Sequence, residues 1–136
     1  MLGIDLGVKN LGVYDGNKFR TYTQEKSFIK FANFVGMLTF QQTCIVDFDW
    51  RLNYWPGNKQ TKTYLIFLAG VIHESSSSCT FVSPNEIRSM LGLYVKVPKK
   101  EMHRTAKILY PEISKVNNHE IDAFLLYRWG KKNESG

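Results

Sequence analysis

Cysteine and proline are scarce in this chain: two Cys and four Pro among 136 residues. Cys44 and Cys79 are far apart and belong to no Cys-x-x-Cys pair, which excludes a disulfide framework and a zinc site built on paired thiolates. Both fall at the starts of expected strands, where they read as small buried hydrophobes, and the chain suits a reducing compartment. No apolar run approaches the roughly 18 residues that span a bilayer. The N-terminus lacks the basic-then-apolar order of a signal peptide. The expectation is therefore an intracellular protein with no membrane partner, in the cytoplasm or nucleoid of a bacterial or phage-infected cell or in an organelle. Internal repeats are absent, and low complexity is confined to the serines at 75–78, a loop between elements. Acidic residues are fewer than basic ones, 12 against 18, leaving a net charge of +6. That excess points to a polyanionic partner, nucleic acid or a membrane surface.

What is present describes a globular chain. Hydrophobic residues make up 43% and aromatics 14%, enough for one domain over residues 1–136 with a core of its own. The opening Met1-Leu-Gly-Ile-Asp-Leu-Gly7 is an apolar run that carries one acid, Asp5. A buried strand should not hold an unpaired carboxylate, which costs several kcal/mol or more, so Asp5 is held for chemistry or for a metal. Further strands are expected over 12–14, 18–22, 44–48 and 80–82, the first two joined by an Asp15-Gly16 turn. Apolar residues at helical spacing predict helices over 26–40, 60–73, 99–110 and 119–129. A short helix to about Leu91 opens at Ser83-Pro84-Asn85-Glu86, which has capping-box spacing and Pro at the first helical position. Three hairpin-linked strands followed by alternating helices and strands predict an α/β fold, a five-stranded mixed sheet with its first three strands antiparallel and helices on both faces.

In such sheets ligands bind beyond the carboxyl ends of the strands. Asp5 lies there on strand one, and Asp47 and Asp49 lie there on strand four. If those strands are neighbours, the acids converge. Asp47 and Asp49, two apart, would share a face on a strand; equally, either is an ordinary loop-start acid. His119 and Asp122, three apart in the first turn of the last helix, share a face as well. The alternative is that Asn118 caps this helix and the acids complement its dipole, a poorer account of Asp122 because the apolar run Ala123-Phe124-Leu125-Leu126 follows it. Clustered carboxylates do not all ionise without cations. Oxygen-rich sites favour Mg²⁺, and two such ions about 4 Å apart suit in-line phosphodiester hydrolysis.

At these residues the chain resembles the RuvC-like Holliday-junction resolvases of the ribonuclease H-like superfamily. The matching segments are Gly3-Ile-Asp-Leu-Gly-Val-Lys-Asn-Leu-Gly12, Ile45-Val-Asp-Phe48, Val82-Ser-Pro-Asn-Glu-Ile-Arg88 and His119-Glu-Ile-Asp-Ala-Phe-Leu-Leu126. The first is shared with actin-like kinases and chaperones, but those folds need two such domains. The resemblance implies a ribonuclease H-like fold and four metal-coordinating positions, here Asp5, Asp47, His119 and Asp122, with Asp49 as a fallback ligand and two Mg²⁺ or Mn²⁺ ions. Asp47 departs from the family, which has Glu there. His119 either binds metal, for which imidazole is a poorer ligand than carboxylate, or helps deprotonate the attacking water.

The resemblance also implies a DNA-contacting set of Lys99 and Lys100 with Lys96 and Arg104 nearby, Trp50 at the crossover, and Lys9 and Asn10 after the first strand. It implies a homodimer that cuts a four-way DNA junction, since a two-fold dimer places one site on each of two opposed strands. The second helix, with Ala69-Gly70 allowing close approach, is a candidate for that interface. Two other readings stand beside this one. The first is a ribonuclease H-like nuclease acting on branched DNA or RNA–DNA hybrids, and the second is a junction-binding protein with little catalysis.

Overall fold

Alternation along the first strands decides which face of the sheet each residue meets. The computed structural model describes residues 1–7, 9–24, 27–49 and 59–134. Strands β1 (Leu2–Asp5), β2 (Asn10–Tyr14) and β3 (Phe19–Thr23) pair antiparallel, and β4 (Thr43–Asp47) and β5 (Ser78–Val82) add in parallel, giving the order β3-β2-β1-β4-β5. The turn between β2 and β3 is closed by Asp15, whose carboxylate accepts the backbone N–H groups of Asn17 and Lys18 at 2.8 and 2.7 Å. The expected five-stranded mixed sheet is therefore present.

Helices α1 (Phe28–Thr39) and α2 (Lys59–Ser75) cover one face, where they pack on Leu2, Ile4, Leu11, Val13, Cys44 and Val46. The other face carries α3 (Pro84–Met90), α4 (Lys99–Leu109) and α5 (Asn118–Glu134), with a short 3₁₀ turn at Pro111–Ile113. Its core gathers Ile45 and Val82 from the sheet with Ile87, Met102, Ala106, Ile121 and Phe124. Because side chains alternate, Gly3 and Asp5 share this second face with Ile45 and Asp47. The register sets Gly3 beside Ile45 and Asp5 opposite Gly12.

Two glycines let α5 lie flat on the sheet. A Cβ at Gly3 would sit 2.1 Å from the Ala123 carbonyl oxygen, and one at Gly12 would sit 2.3 Å from the His119 carbonyl oxygen. Neither position tolerates a side chain without moving the helix, so glycine here fixes how closely the start of α5 approaches β1 and β2.

Several boundaries differ from the sequence expectation. The last helix is capped by Asn117, not Asn118: the Asn117 side-chain oxygen accepts the Glu120 N–H at 2.8 Å. That helix also runs on to Glu134, beyond the last apolar periodic residues, because the polar turns there extend a helix already anchored by its buried half. Strand β2 starts at Asn10, since pairing with β3 reaches back to Thr23. Ser75 and Ser78 belong to α2 and β5, which narrows the expected serine loop. Ala69 is buried against the sheet layer and is not available to a partner. Cys44 and Cys79 are free thiols side by side across β4 and β5, Cys44 fully buried and Cys79 partly exposed. The Ser83–Glu86 pair does open α3, with the Ser83 N–H donating to the Glu86 carboxylate at 2.8 Å.

Candidate active site

Asp5 and Asp47 end the neighbouring parallel strands β1 and β4 on the α5 side. Asp122 reaches the same place from the second turn of α5, and His119 from the first. His119 Nδ1 lies 3.0 Å from Asp5 Oδ2, joining groups 114 residues apart in sequence. Asp122 is held from two sides. His103 Nε2 of α4 is 2.7 Å from Oδ1, with both side chains buried, and the Lys99 ammonium is 2.8 Å from Oδ2.

The acids feel one another. Burial pushes the Asp47 carboxyl up to about 7, with the charges of Asp5 and Asp122 adding to the rise and Lys99 opposing it. Burial also raises Asp5, against the lowering effect of its bond to His119. That bond holds the His119 imidazole above its ordinary pKa. Burial works to lower Lys99, but Asp122, Asp5 and Asp47 together keep its ammonium above the usual lysine value.

The donor set suits a hard divalent cation, being carboxylate oxygen from three elements. One observation bears on the fit directly. Asp122 Oδ2 is buried and accepts no hydrogen bond of good geometry, although Lys99 lies in contact as a charge. Among the described residues, no three His, Cys, Asp or Glu side chains are drawn closely enough together to hold an ion as they stand. The positive charge in their midst is Lys99. Asp49, the fallback ligand, is buried but lies past the end of β4, so strand alternation does not carry it onto the face of Asp47.

No family model matches the sequence, and no curated protein matches it. Solved structures do. The chain superposes on Thermus thermophilus RuvC with a TM-score of 0.68, covering 96% of this chain and 94% of that one at 11% identity. It superposes on T. thermophilus RuvC in complex with Holliday junction substrate with a TM-score of 0.74, covering 96% and 91%, again at 11% identity. The chain has the RuvC-like fold.

Beside the acids of this RuvC-like chain, sharing Lys99 and His103 with them, lies a largely basic groove of about 980 Å³ lined also by Lys100, Glu101, Arg104 and Lys107 of α4 and by Asn118. Lys100 and Arg104 are exposed there, Arg104 in loose contact with Glu101 at 3.8 Å. Lys96 is exposed in the segment before α4. Lys9 is exposed beyond β1, whereas the Asn10 side-chain oxygen is engaged by the Thr23 hydroxyl at 3.0 Å. Trp50 lies outside the described residues. His103 and Lys107 escaped the sequence reading. The signal for His103 was its place in the apolar stripe of α4 beside Met102 and Ala106, all three buried. A histidine there calls for a buried partner. Lys107 was marked by helical spacing after Lys100 and Arg104. No helix among the described residues is long and apolar enough to cross a membrane.

Proposed function

We propose that this protein is a metal-dependent endonuclease that resolves four-way DNA junctions by in-line phosphodiester hydrolysis. The observation that carries the reading is the meeting of Asp5, Asp47 and Asp122 at the carboxyl ends of β1 and β4, close enough that mutual charge helps lift Asp47 to about 7. Such crowding is relieved by cations. Asp5, Asp47 and Asp122 would hold two Mg²⁺ or Mn²⁺ ions, which would supply activation of water and neutralisation of charge at the scissile phosphate.

The chain's own residues divide the remaining work. Asp5 fixes the His119 ring through Nδ1, and with that nitrogen donating, Nε2 carries the lone pair. That lone pair serves either to accept a proton from water or to ligate a metal, and the bond to Asp5 orients the ring for both. His103 is a positioning residue, since its bond to Oδ1 orients Asp122. Lys100, Arg104 and Lys107 line one side of the groove, where cations at this spacing follow a phosphate backbone.

The junction is two-fold symmetric, and a homodimer matches it. Support for a dimer lies on the opposite layer, where Ile29 and Met37 of α1, Phe40 just past its end and Phe67 of α2 are exposed around an apolar groove of about 540 Å³. This surface keeps the expected α2 through Phe67 and adds α1, leaving out the buried Ala69.

The deciding experiment incubates the protein and Asp5→Asn with a synthetic four-way junction, with and without Mg²⁺. Wild type cuts only with Mg²⁺, and the variant binds the junction but does not cut. Cleavage by Asp5→Asn refutes the mechanism. A flap or an RNA–DNA hybrid cut in preference to the junction refutes the substrate, and binding without cleavage under every metal leaves a junction-binding protein.

A further inference from the structure

Lys99 is an odd residue to find among acids that are to bind metal. It is the first residue of α4, where a positive charge is disfavoured by the helix dipole unless an anion answers it. Its anion is Asp122 Oδ2 at 2.8 Å. That oxygen is buried and has no well-directed hydrogen bond. The other oxygen of Asp122 is already held by His103 at 2.7 Å. So the carboxylate is oriented without Lys99, and the lysine contributes charge to one oxygen that points at nothing else. The lysine side chain is itself 59% exposed while its partner is 9% exposed. A flexible four-carbon stem reaches in from solvent and is free to withdraw. A cavity of about 140 Å³ lies beside the contact, lined by Asp47, Lys99 and Asp122 together with Arg88 and apolar side chains of α3, α4 and α5, roomy enough for several waters; the Arg88 Nε donates to the Val97 carbonyl.

We propose that Lys99 is a placeholder cation: in the metal-free protein its ammonium occupies the carboxylate cluster, and divalent ions bind by displacing it from Asp122. This rests on the metal-dependent reading above and adds a competition that the reading does not require. The ammonium and an ion cannot share the buried Oδ2 with full contact to both. Loading the site then frees the Lys99 ammonium from Asp122 for the basic groove that its side chain already lines with Lys100 and Arg104. Metal binding and the freeing of a phosphate-binding cation become one event. Metal-free protein keeps its acids neutralised at the cost of weaker ion binding.

The test is a titration of the full chain with Mn²⁺, without DNA, on wild type, Lys99→Gln and Lys99→Arg. Removing the competitor makes Lys99→Gln bind Mn²⁺ about tenfold tighter or more, and lowers its thermal midpoint in chelator. Lys99→Arg, which keeps a cation, stays near wild type in both. Equal or weaker Mn²⁺ binding by Lys99→Gln overturns the proposal and leaves a lysine that only meets phosphate. Wild type that binds no Mn²⁺ overturns both this proposal and the metal-dependent function, so the two failures are distinct. A second measurement needs no variant. Reductive methylation of Lys99 in wild type, followed by mass spectrometry, speeds up when Mn²⁺ is added. An unchanged rate at saturating Mn²⁺ overturns the displacement.

Discussion

Replacing Asp47 by Asn keeps the shape of the side chain and removes only its charge, so its effect on stability is set by where that charge sits. The carboxyl titrates near 3.8 when exposed and near about 7 in the fold. Between those values the folded chain holds a proton that the unfolded chain has released. Stability therefore falls as pH rises from about 4 to about 7 and then levels off. At about 1.36 kcal/mol per pH unit the loss amounts to roughly 4 kcal/mol. That is an upper figure, because Asp47 keeps some contact with solvent. In chelator at about pH 8, Asp47→Asn is then more stable than wild type by up to roughly 4 kcal/mol, a rise in the thermal midpoint of up to about 14 °C. Near pH 4 the two melt together. The assay is thermal or urea denaturation across that pH range, with and without Mg²⁺. Mg²⁺ narrows the gap by stabilising wild type alone. A variant less stable than wild type at about pH 8 refutes the reasoning, since Asp47 would then be a well-satisfied carboxylate.

Other predictions follow from the same structure. Gly3→Ala, whose Cβ would overlap the Ala123 carbonyl oxygen at 2.1 Å, destabilises the fold by about 3 kcal/mol or more, read by urea denaturation. Neutralising Lys100, Arg104 and Lys107 together weakens junction binding and lowers the salt slope of log K by about 0.9 for each phosphate left without its cation, while the melting of the free protein is unchanged. Met37→Asp on the exposed face of α1 shifts a dimer to monomer in analytical ultracentrifugation while leaving the secondary structure intact.

Much of the fold was legible because strand and helix periods dominate this chain. Asp5 could be singled out from its apolar surroundings alone, and its face follows from strand parity once β1 and β4 are neighbours. The spacing of His119 and Asp122 identified the helix that completes the cluster. What the sequence hid is what depends on contacts between elements. Asn117 and Asn118 are both sound caps by chemistry, and only docking of α5 against Thr21 of β3 selects Asn117, whose amide donates to the Thr21 hydroxyl at 2.9 Å. His103 meets Asp122 across two helices, so no local motif marks the pair. Lys99 was legible as a phosphate-binding candidate but not as the partner of Asp122, because that contact forms only when the starts of α4 and α5 are brought together. Ala69 fits both the apolar stripe of α2 and a close-approach surface, because periodicity shows that a helix has an apolar face without showing which layer takes it.

Gly3 and Gly12 bear on when the acid cluster is assembled. The cluster joins the first strand of the chain to a helix synthesised more than a hundred residues later, as the 114-residue separation of Asp5 and His119 shows. A growing chain can pair β1 with β2 and β4, yet the floor made by the two glycines stays bare until α5 arrives to fill it. The same docking that completes the core brings Asp122 and its cation to the acids. The proposed site is thus complete only once the last helix is in place, and a chain that stops short of Asn118 carries Asp5 and Asp47 with none of their partners from α5.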